Sequence, residues 1–417
     1  MPKDTVLIIE PDFSGHRWRY AEWAAQACLE AGYACVIATA SANATHPLAQ
    51  RLARPQVDGA RAPDLQITFV DPPTQESRRG LGSISYVRFF RYFQHIFKTV
   101  SREHPVVRVI VPYVDYFLYA LPALGSPFGK MPWVGITMRA TFQHHEAGVV
   151  APRRPLVNAV KAQLFRRALR TPGLRTLLSI DPTLGDWCEK NAAADSATVQ
   201  YLPDPSPDTP APDPLQARER LGLTLYGQYV LVYGAISERK GIYELVDALA
   251  ARADAPTLVI AGSQDMDVRA PLKRRLAQLS TPPIVLDQFI SGETESDLFA
   301  ACDVVWLGYK GHYGMSGVLV QAYRAGKPLI ATAEGLIGWF CRDGALGPVL
   351  DDLSVDAINQ ALDLALDSYD AYPRQSDAAG GHLLERNTLS HFKQTLQSAL
   401  RDNAVLTAEE CRQGAAA

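Results

Sequence analysis

Short apolar runs alternate with helical segments along both halves of this 417-residue chain. The first half opens with an apolar run at 5–10, a turn around residues 14 and 15, a helical segment at 17–31 and a second run at 33–40. Four more runs are predicted to be strands, at 66–70, 107–111, 132–137 and 176–180. Uninterrupted apolar runs of this length are typical of parallel strands covered by helices on both faces. The order predicts an α/β fold of the doubly wound, Rossmann-like type.

The second half repeats the same order of elements. Its strands are predicted at 228–236, 256–263, 283–290, 303–309 and 327–333, and its helices at 240–253, 268–280, 294–302 and 317–326. The halves are joined by "LPDPSPDTPAPDPL" at 202–215, whose prolines remove amide donors and stiffen the chain. We therefore expect two doubly wound domains that face each other across a cleft, with ligands at the carboxyl ends of the strands.

These patterns set the predicted domain boundaries. The N-terminal domain covers 1–202, a proline-rich linker covers 203–226, and the C-terminal domain covers 227–385. The remaining segment, 386–417, is predicted to hold a helix at about 389–402 that packs back toward the N-terminal domain, followed by a frayed tail.

Composition excludes several classes of protein. Hydrophobic residues make up 47% of the chain and charged residues 20%, which argues against global disorder. A net charge of -3 gives no overall attraction to nucleic acid, so we expect no nucleic-acid partner. The six cysteines form no C-x-x-C pair, which argues against a zinc site or a disulfide framework. The start of the chain reads as a buried strand and no run is long enough to span a bilayer, so we expect a cytoplasmic protein.

Two short segments have the residue types that bind a diphosphate. "SERKG" places Arg239 and Lys240 just after a predicted strand, and "GMSGVL" places Ser316 and Gly317 at the start of a predicted helix. Cleaving a sugar–phosphate bond leaves negative charge on the diphosphate, which cations and the free amides of a helix start stabilise. Ser316 is expected to cap that helix through its side chain. A solvated basic turn and an ordinary helix cap are the alternative interpretations.

The second half resembles the donor domain of GT-B glycosyltransferases, which have two Rossmann domains, and is most similar to family 4 of the retaining enzymes. The matching segments are "YGAISERKGIYELVDAL" at 233–249, "IAGS" at 260–263, "FAACDVVWLGY" at 299–309 and "SGVLVQAYRAGKPLIAT" at 316–332. The first half matches in outline, through "EPDFSGHRWRY" and "WVGITMRATFQHH". The resemblance implies a metal-independent transfer of a sugar from a nucleoside diphosphate to a glycan or lipid-linked acceptor, in bacterial polysaccharide or cell-surface glycan synthesis.

The chain departs from the family at both glutamates of the Glu-seven-Glu motif. Tyr313 stands at the first position and Gln321 at the second, and Ala235 replaces an arginine that often precedes the lysine by five residues. Gln321 keeps a carbonyl that can accept a ribose hydrogen bond, at a loss of about 1 kcal/mol. Tyr313 cannot act as a carboxylate. In the mechanism usually proposed for the family the leaving phosphate takes the acceptor proton, so activity is expected to survive, whereas retention or inversion stays open.

The resemblance assigns roles to fourteen residues. The donor-binding set is Gly15, His16, Arg239, Lys240, Phe289, Tyr313, Met315, Ser316, Gly317, Val318 and Gln321. The acceptor-binding set is His16, Arg139 and His144, and the catalytic set is His144, His145, Arg239 and Lys240. Ordinary turn and loop residues are the alternative interpretation for the histidines. "QDMD" imitates a metal-binding D-x-D motif, but its place in a Rossmann domain predicts a solvated loop and no metal cofactor.

Other functions and partners stay open at this point. A non-catalytic relative that binds nucleotide sugar, glycan or a partner transferase is the main alternative, and an epimerase of the same fold is a third. "YVRFFRYFQHIFKTV" at 86–100 is amphipathic, and 153–175 contains bases and no acid. Both segments fit either helices packed on their own sheet or contact with an anionic membrane at the inner face.

Overall fold

The computed structural model describes residues 3–13, 17–53, 64–73, 86–206, 208–342, 345–367 and 381–414. Their contacts divide the chain into two compact units. The first contains the described residues up to Gln143 together with 154–202 and 389–414, and the second contains 144–153 and the described residues of 203–388. The segment 144–153, which we had assigned to the N-terminal domain, thus groups with the second unit, as does the linker.

The first unit is built on a parallel seven-stranded sheet. Its strands are β1 (Thr5–Ile9), β2 (Ala34–Thr39), β3 (Leu65–Phe69), β4 (Val106–Val111), β5 (Trp133–Thr137), β6 (Leu174–Ser179) and β7 (Thr198–Tyr201), in the order β3-β2-β1-β4-β5-β6-β7. The strand order reverses between β1 and β4, where Leu7 is paired with Val109. All six predicted strands are confirmed, whereas β7 was not predicted. Its four residues are at most half-buried and show no continuous apolar run.

Helices cover this sheet. They are α1 (Arg17–Glu30), α2 (Pro47–Ala53), α3 (Tyr86–Val100), α4 (Leu121–Leu124), α5 (Pro155–Ala168) and α6 (Thr183–Asn191). The amphipathic helix predicted at 86–100 is α3, and its aromatic side chains Phe89, Phe90 and Phe93 are buried in the core of the unit. The apolar face of α3 therefore packs on its own sheet, as the simpler of our two interpretations expected.

The second unit repeats the design with six parallel strands. They are β8 (Tyr229–Tyr233), β9 (Thr257–Ala261), β10 (Ile284–Leu286), β11 (Val304–Leu307), β12 (Leu329–Thr332) and β13 (Val349–Leu350), in the order β10-β9-β8-β11-β12-β13. Its helices are α7 (Pro214–Leu221), α8 (Ile242–Ala250), α9 (Met266–Leu276), α10 (Gly292–Ala301), α11 (Gly317–Arg324), α12 (Gly335–Cys341), α13 (Val355–Asp367) and α14 (Gly381–Glu385). The order reverses between β8 and β11. Two doubly wound α/β sheets confirm the predicted fold class.

The predicted linker contains a helix, α7. Asp213 accepts a hydrogen bond from the amide of Gln216 at 3.0 Å, Pro214 opens the helix, and Gly222 ends it with a left-handed backbone. The buried guanidinium of Arg218 donates to both carboxylate oxygens of Asp303, at 2.8 and 3.0 Å, and so anchors α7 beside β11.

The last helix, α15 (Leu389–Gly414), belongs to the first unit. Lys393 forms an ion pair with Glu30 at 2.6 Å, and Gln397 donates to the carbonyl of Ala27 at 3.0 Å, so α15 packs along α1. The guanidinium of Arg108 donates to the carbonyl of Leu400 at 3.2 Å. The helix runs twelve residues beyond its predicted end at residue 402.

The structure also bears on the state of the cysteines and on the presence of membrane-spanning helices. The side chains of five of the six cysteines are described, and all five are buried free thiols that pack as small apolar groups: Cys28, Cys35, Cys188, Cys302 and Cys341. Across the described ranges, no helix combines the length and apolar character that crossing a bilayer requires.

Candidate functional site

Lys240 lies at the reversal point of the second sheet. Its ammonium donates to the carbonyl of Tyr233, the last residue of β8, at 2.7 Å, and to the hydroxyl of Tyr309, just after β11, at 2.7 Å. Ligands of doubly wound sheets bind where the strand order reverses, at the carboxyl ends of the strands. Both partners are neutral, and an ammonium has a third proton to donate. Lys240 forms no ion pair among the residues that the structure describes.

The backbone around Lys240 is fixed by close packing. The indole of Trp306 in β11 donates to the carbonyl of Lys240 at 2.8 Å. Gly241 follows with a left-handed φ of 62°, and a Cβ at this position would lie 2.1 Å from the carbonyl oxygen of Gly308. Only glycine fits this approach, so the chain can turn sharply and begin α8 at Ile242. The backbone of Lys240 is therefore fixed by contacts with β11, and its ammonium lies between the ends of β8 and β11.

Arg239 extends this positive site through His312. The guanidinium only donates hydrogen bonds, so at 3.3 Å from Arg239 the Nδ1 of His312 is the acceptor. His312 Nε2 then carries the proton and donates to the carbonyl of Met315 at 3.2 Å. Burial, and then the positive charges of Arg239 and Lys240, lower the pKa of His312, which favours this neutral form. The histidine ties Arg239 to the loop before α11.

Helix α11 begins next to this loop. Ser316 is at the N-cap position with an extended backbone, but its side chain makes no capping hydrogen bond, so the predicted side-chain cap is wrong. Its carbonyl instead accepts the amide of Leu319 at 3.1 Å. The first amides of a helix have no partner within the helix, and those of Gly317 and Val318 are in this position. Met315, immediately before them, is 8% exposed and packs rather than faces solvent.

Gln321 projects from the second turn of α11 toward the linker. The hydroxyl of Ser206 donates to its side-chain carbonyl at 3.3 Å. The position of Ser206 is fixed by Asn387, whose carbonyl accepts the Ser206 amide at 3.2 Å. Gln321, Ser206 and Arg324 also line a small pocket formed by the linker, α10 and α11. The side-chain carbonyl that we predicted to bind ribose is thus polar, half-buried and already able to accept from a hydroxyl group.

Tyr313 occupies the place of the first family glutamate, and a different carboxylate reaches its loop. Glu334, directly after β12, accepts the amide of Gly311 at 3.3 Å. The backbone is close here, because a Cβ on Gly335 would lie 2.7 Å from the Cα of Tyr313. Sequence reasoning missed Glu334, although an acid followed by glycine at a predicted strand end is a signal that would have indicated it. His312 and Tyr309 were missed as well.

The remaining predicted donor residues are spread out. Phe289 follows β10 and is 77% exposed, so its ring is free to stack on a flat group. Gly15 and His16 lie outside the described residues. The "QDMD" stretch does not form a loop throughout, because α9 begins at Met266. Within the described ranges, no group of three or more acidic, histidine or cysteine side chains is arranged to hold a metal ion.

The predicted acceptor and catalytic residues of the first half fall in different units. Arg139 follows β5 in the first unit, with its guanidinium 5.4 Å from the ring centroid of Tyr113. His144 and His145 group with the second unit. The side chain of His144 is only 1% exposed, whereas that of His145 is exposed.

Comparison with known proteins agrees with this geometry. Residues 227–368 match the sequence family described as Glycosyl transferases group 1. Sucrose-phosphate synthase from Thermosynechococcus elongatus is 15% identical with a TM-score of 0.65, over 99% of this chain and 100% of that one. The chain has the GT-B fold. GT-B proteins of similar likeness include Anabaena HepE in complex with UDP-glucose, 14% identical with a TM-score of 0.63 over 95% of this chain and 99% of that one.

A third GT-B structure extends the likeness to a further enzyme. WaaG, a glycosyltransferase involved in lipopolysaccharide biosynthesis, is 17% identical with a TM-score of 0.58, over 91% of this chain and 98% of that one. The search of curated protein sequences found no match. The resemblance to GT-B glycosyltransferases noted from the sequence is confirmed. The family match falls on the unit that contains Lys240, α11 and Gln321.

Proposed function

We propose that this GT-B protein is a metal-independent glycosyltransferase that moves a sugar from a nucleoside diphosphate to a glycan or lipid-linked acceptor. The observation that carries the proposal is the Lys240 ammonium, which is held by Tyr233 and Tyr309 at the reversal point of the sheet and has no carboxylate partner among the residues that the structure describes. A cation fixed in this way offers its charge to an anionic ligand. The match of 227–368 to group 1 glycosyl transferases supports the same ligand.

Each part of the site has a role in the proposed reaction. Lys240 and Arg239 stabilise the negative charge that develops on the leaving diphosphate, together with the first amides of α11. Gln321 accepts a hydrogen bond from a ribose hydroxyl, and Phe289 offers its exposed ring to the base. Of the two neighbouring histidines, His145 is the exposed one and is the candidate to contact the reacting sugar. We expect retention, in which the leaving phosphate itself accepts the proton.

We further propose that the protein meets its acceptor at an anionic membrane surface through α5. Leu156 is 83% exposed, Val160 is 59% exposed and Val157 is 50% exposed. Arg153 and Arg154 precede them and are exposed, and no acid occurs between residues 147 and 180. Apolar side chains beside uncompensated bases fit the interface of an anionic bilayer. Helix α3 does not offer such a surface, because its aromatic face is buried.

The test is donor binding followed by donor hydrolysis. Thermal-shift measurements with UDP-, GDP- and dTDP-sugars would identify the nucleotide, because a ligand that binds the folded state raises the midpoint of unfolding. Release of nucleoside diphosphate in the absence of acceptor, without added metal and with a chelator present, would then report catalysis. Stabilisation by none of the nucleotides would refute the proposal.

A non-catalytic role is the second candidate, and Tyr313 and Gln321 favour it. Both replace carboxylates of the family motif, and the Gln321 carbonyl already accepts from Ser206. A relative of this kind would bind a nucleotide sugar, a glycan or a partner transferase without turnover. Donor binding with no diphosphate release under any acceptor would favour this candidate over the first.

A further inference from the structure

The first sheet has its own polar cluster at the point where its strand order reverses. Glu10 directly follows β1, and Tyr116 lies beyond the end of β4. The hydroxyl of Tyr116 donates to the carboxyl of Glu10 at 2.9 Å, and Arg17 at the start of α1 donates to the same hydroxyl at 2.8 Å. This is the position at which doubly wound sheets bind ligands. The cluster belongs to the first sheet, whereas the Lys240 site belongs to the second.

Two guanidinium groups share one aromatic ring in this cluster. The guanidinium of Arg17 lies 4.7 Å from the ring centroid of Tyr113, and that of Arg139 lies 5.4 Å from it. Tyr113 itself packs edge-on against Tyr116, with ring centroids 4.8 Å apart. Stacking on a ring holds a guanidinium in place while leaving its N–H edges available for a ligand. Arg139 is exposed and Arg17 is half-buried.

The exposed charge of the cluster is that of Arg139, which also acts on the half-buried carboxyl of Asp115. Arg17 is paired with Asp12, but Arg139 forms no ion pair within the described part of the chain. Asp115 is turned toward its own strand ends, where it accepts the Thr137 hydroxyl and the Met138 amide, each at 2.8 Å. Burial raises the pKa of Glu10 to about 8, so this carboxyl is mostly neutral at pH 7. The exposed side of the cluster is therefore positive.

The cluster also has unused hydrogen-bonding capacity. The hydroxyl of Tyr113 and the Oε2 atom of Glu10 are buried and have no hydrogen-bond partner among the described residues. Most buried polar atoms in folded proteins have a hydrogen-bond partner, and an unsatisfied one calls for an explanation such as a bound water, an ion or a catalytic role. Tyr113 is 6% exposed, and its ring carries both guanidiniums. A ligand held by the arginines would therefore lie beside an unsatisfied hydroxyl.

We propose that Arg17, Tyr113 and Arg139 bind an anionic substituent, either a phosphate or a carboxylate, on the sugar that accepts the transferred unit. The proposal rests on the proposed transferase function and names its acceptor class. The N–H edge of Arg139 pairs with the anion. The guanidinium of Arg17, which lies over the same Tyr113 ring, adds a second positive charge. A neutral sugar would leave the exposed guanidinium of Arg139 unpaired. The acceptor is thus an acidic or phosphorylated sugar.

Binding can be measured by calorimetry on the full-length protein without any donor. Glucose 6-phosphate, glucuronate and glucose serve as probes, so that phosphate and carboxylate are separated from the shared sugar ring. At least one anionic probe is expected to bind about tenfold or more tightly than glucose, which is the worth of a charge-assisted hydrogen bond. Arg139→Gln should remove this difference.

Two variants serve as controls. Arg102→Gln changes another exposed arginine, which follows α3 and comes before the amino end of β4, and should leave the binding of all three probes unchanged. Lys240→Met removes the cation of the second unit and should also leave the binding of glucose 6-phosphate and glucuronate unchanged. Circular dichroism would confirm that each variant is folded.

The outcomes decide the proposal. It is overturned if neither anionic probe binds better than glucose, if Arg139→Gln and Arg102→Gln behave alike, or if Lys240→Met abolishes the binding of the anionic probes. UDP binding, measured on the same samples, reports the donor site separately. Failure of UDP to bind would therefore count against the transferase function, and failure of the anionic probes would count against this acceptor class alone.

Discussion

The ammonium of Lys240 lies 2.7 Å from the hydroxyl of Tyr309, and this hydrogen bond joins the turn after β8 to the turn after β11. The two strands are neighbours in the sheet but are about 70 residues apart along the chain. The bond holds the cation at the reversal point of the sheet without neutralising it. Replacing Lys240 and replacing Tyr309 should therefore weaken ligand binding to different extents.

Lys240→Met is expected to weaken UDP binding strongly. The substitution keeps an unbranched apolar stem but removes the charge, and a hydrogen bond to a charged group contributes about 1.5–3 kcal/mol, or roughly ten- to a hundredfold in Kd. Tyr309→Phe should weaken UDP binding less, because the ammonium keeps the Tyr233 carbonyl. Calorimetric titration with UDP would measure both. Lys273→Met, at an exposed lysine of α9, is the matched control. Equal losses at Lys240 and Lys273 would contradict the assignment.

Gln321→Glu is expected to tighten UDP binding. A carboxylate accepts a stronger hydrogen bond from ribose than an amide carbonyl does, by about 1 kcal/mol or roughly fivefold in Kd. The Ser206 hydroxyl can still donate to the new side chain, so the local structure has no reason to change. The gain should disappear with 2′,3′-dideoxyuridine diphosphate, which has no ribose hydroxyl. A gain that persisted with the dideoxy compound would place the ribose elsewhere.

The place of Lys240 could be predicted because it depends on local rules. An apolar run followed by a basic turn and a glycine puts the cation at a strand end, and the structure has it there. The partners of the cation could not be predicted in the same way. Tyr309 and His312 reach the site from another strand end, about 70 residues later, and no spacing within a single segment encodes that contact.

The errors also have physical causes. The strands β7 and β13 are short and lie at sheet edges, where only one neighbour pairs and no continuous apolar run is needed. Ser316 has the residue type and position of a cap, but its side chain makes no hydrogen bond to the helix amides. The pattern of α3 identified an apolar face correctly, whereas only the packed structure shows that Phe93 is covered and that Leu156 of α5 is not.

Replacing Leu156 and Val160 by serine together is expected to weaken binding to anionic vesicles. Both side chains are exposed in the structure, so their replacement should leave the fold intact. It would remove the apolar part of the protein surface that is proposed to contact the membrane. Binding to phosphatidylserine vesicles, measured by co-sedimentation, should fall in the variant and should also fall at high salt. Leu215→Ser, at a leucine of α7 that is 49% exposed, is the control. Salt-independent binding would contradict an electrostatic contact with lipid.

Glu10 predicts an unusual dependence of stability on pH. Burial is the main cause that raises its pKa from 4.5 to about 8, and the amide of Asp12, the Tyr116 hydroxyl and the charge of Arg17 oppose the change only in part. The carboxyl of Asp12 adds to the increase, and Tyr113, Asp115 and Arg139 are the other ionisable groups of the cluster. Between pH 4.5 and about pH 8 the carboxyl of Glu10 has lost its proton in the unfolded chain but keeps it in the folded chain.

The sign of the effect follows from this difference in bound protons. Below about pH 4.5 Glu10 is neutral in both states and costs nothing. As the pH rises toward 8 the free energy of unfolding falls by up to about 1.4 kcal/mol per pH unit, and it levels off once the folded state also ionises. Glu10→Gln keeps a carbonyl that accepts from Tyr116 and the Asp12 amide but cannot ionise. The variant should therefore become progressively more stable than the wild type between pH 5 and 8.

Calorimetric unfolding of both proteins across this pH range would measure the difference, with the transition of the first domain followed separately if the two domains unfold apart. All other ionisable groups are shared, so their contributions cancel in the comparison. Glu103→Gln changes an exposed glutamate of the same domain and should show no such trend. A stability difference between Glu10→Gln and the wild type that stayed constant with pH would mean that the Glu10 carboxyl ionises normally, and the positive face of the Arg139 cluster would then be partly neutralised at pH 7.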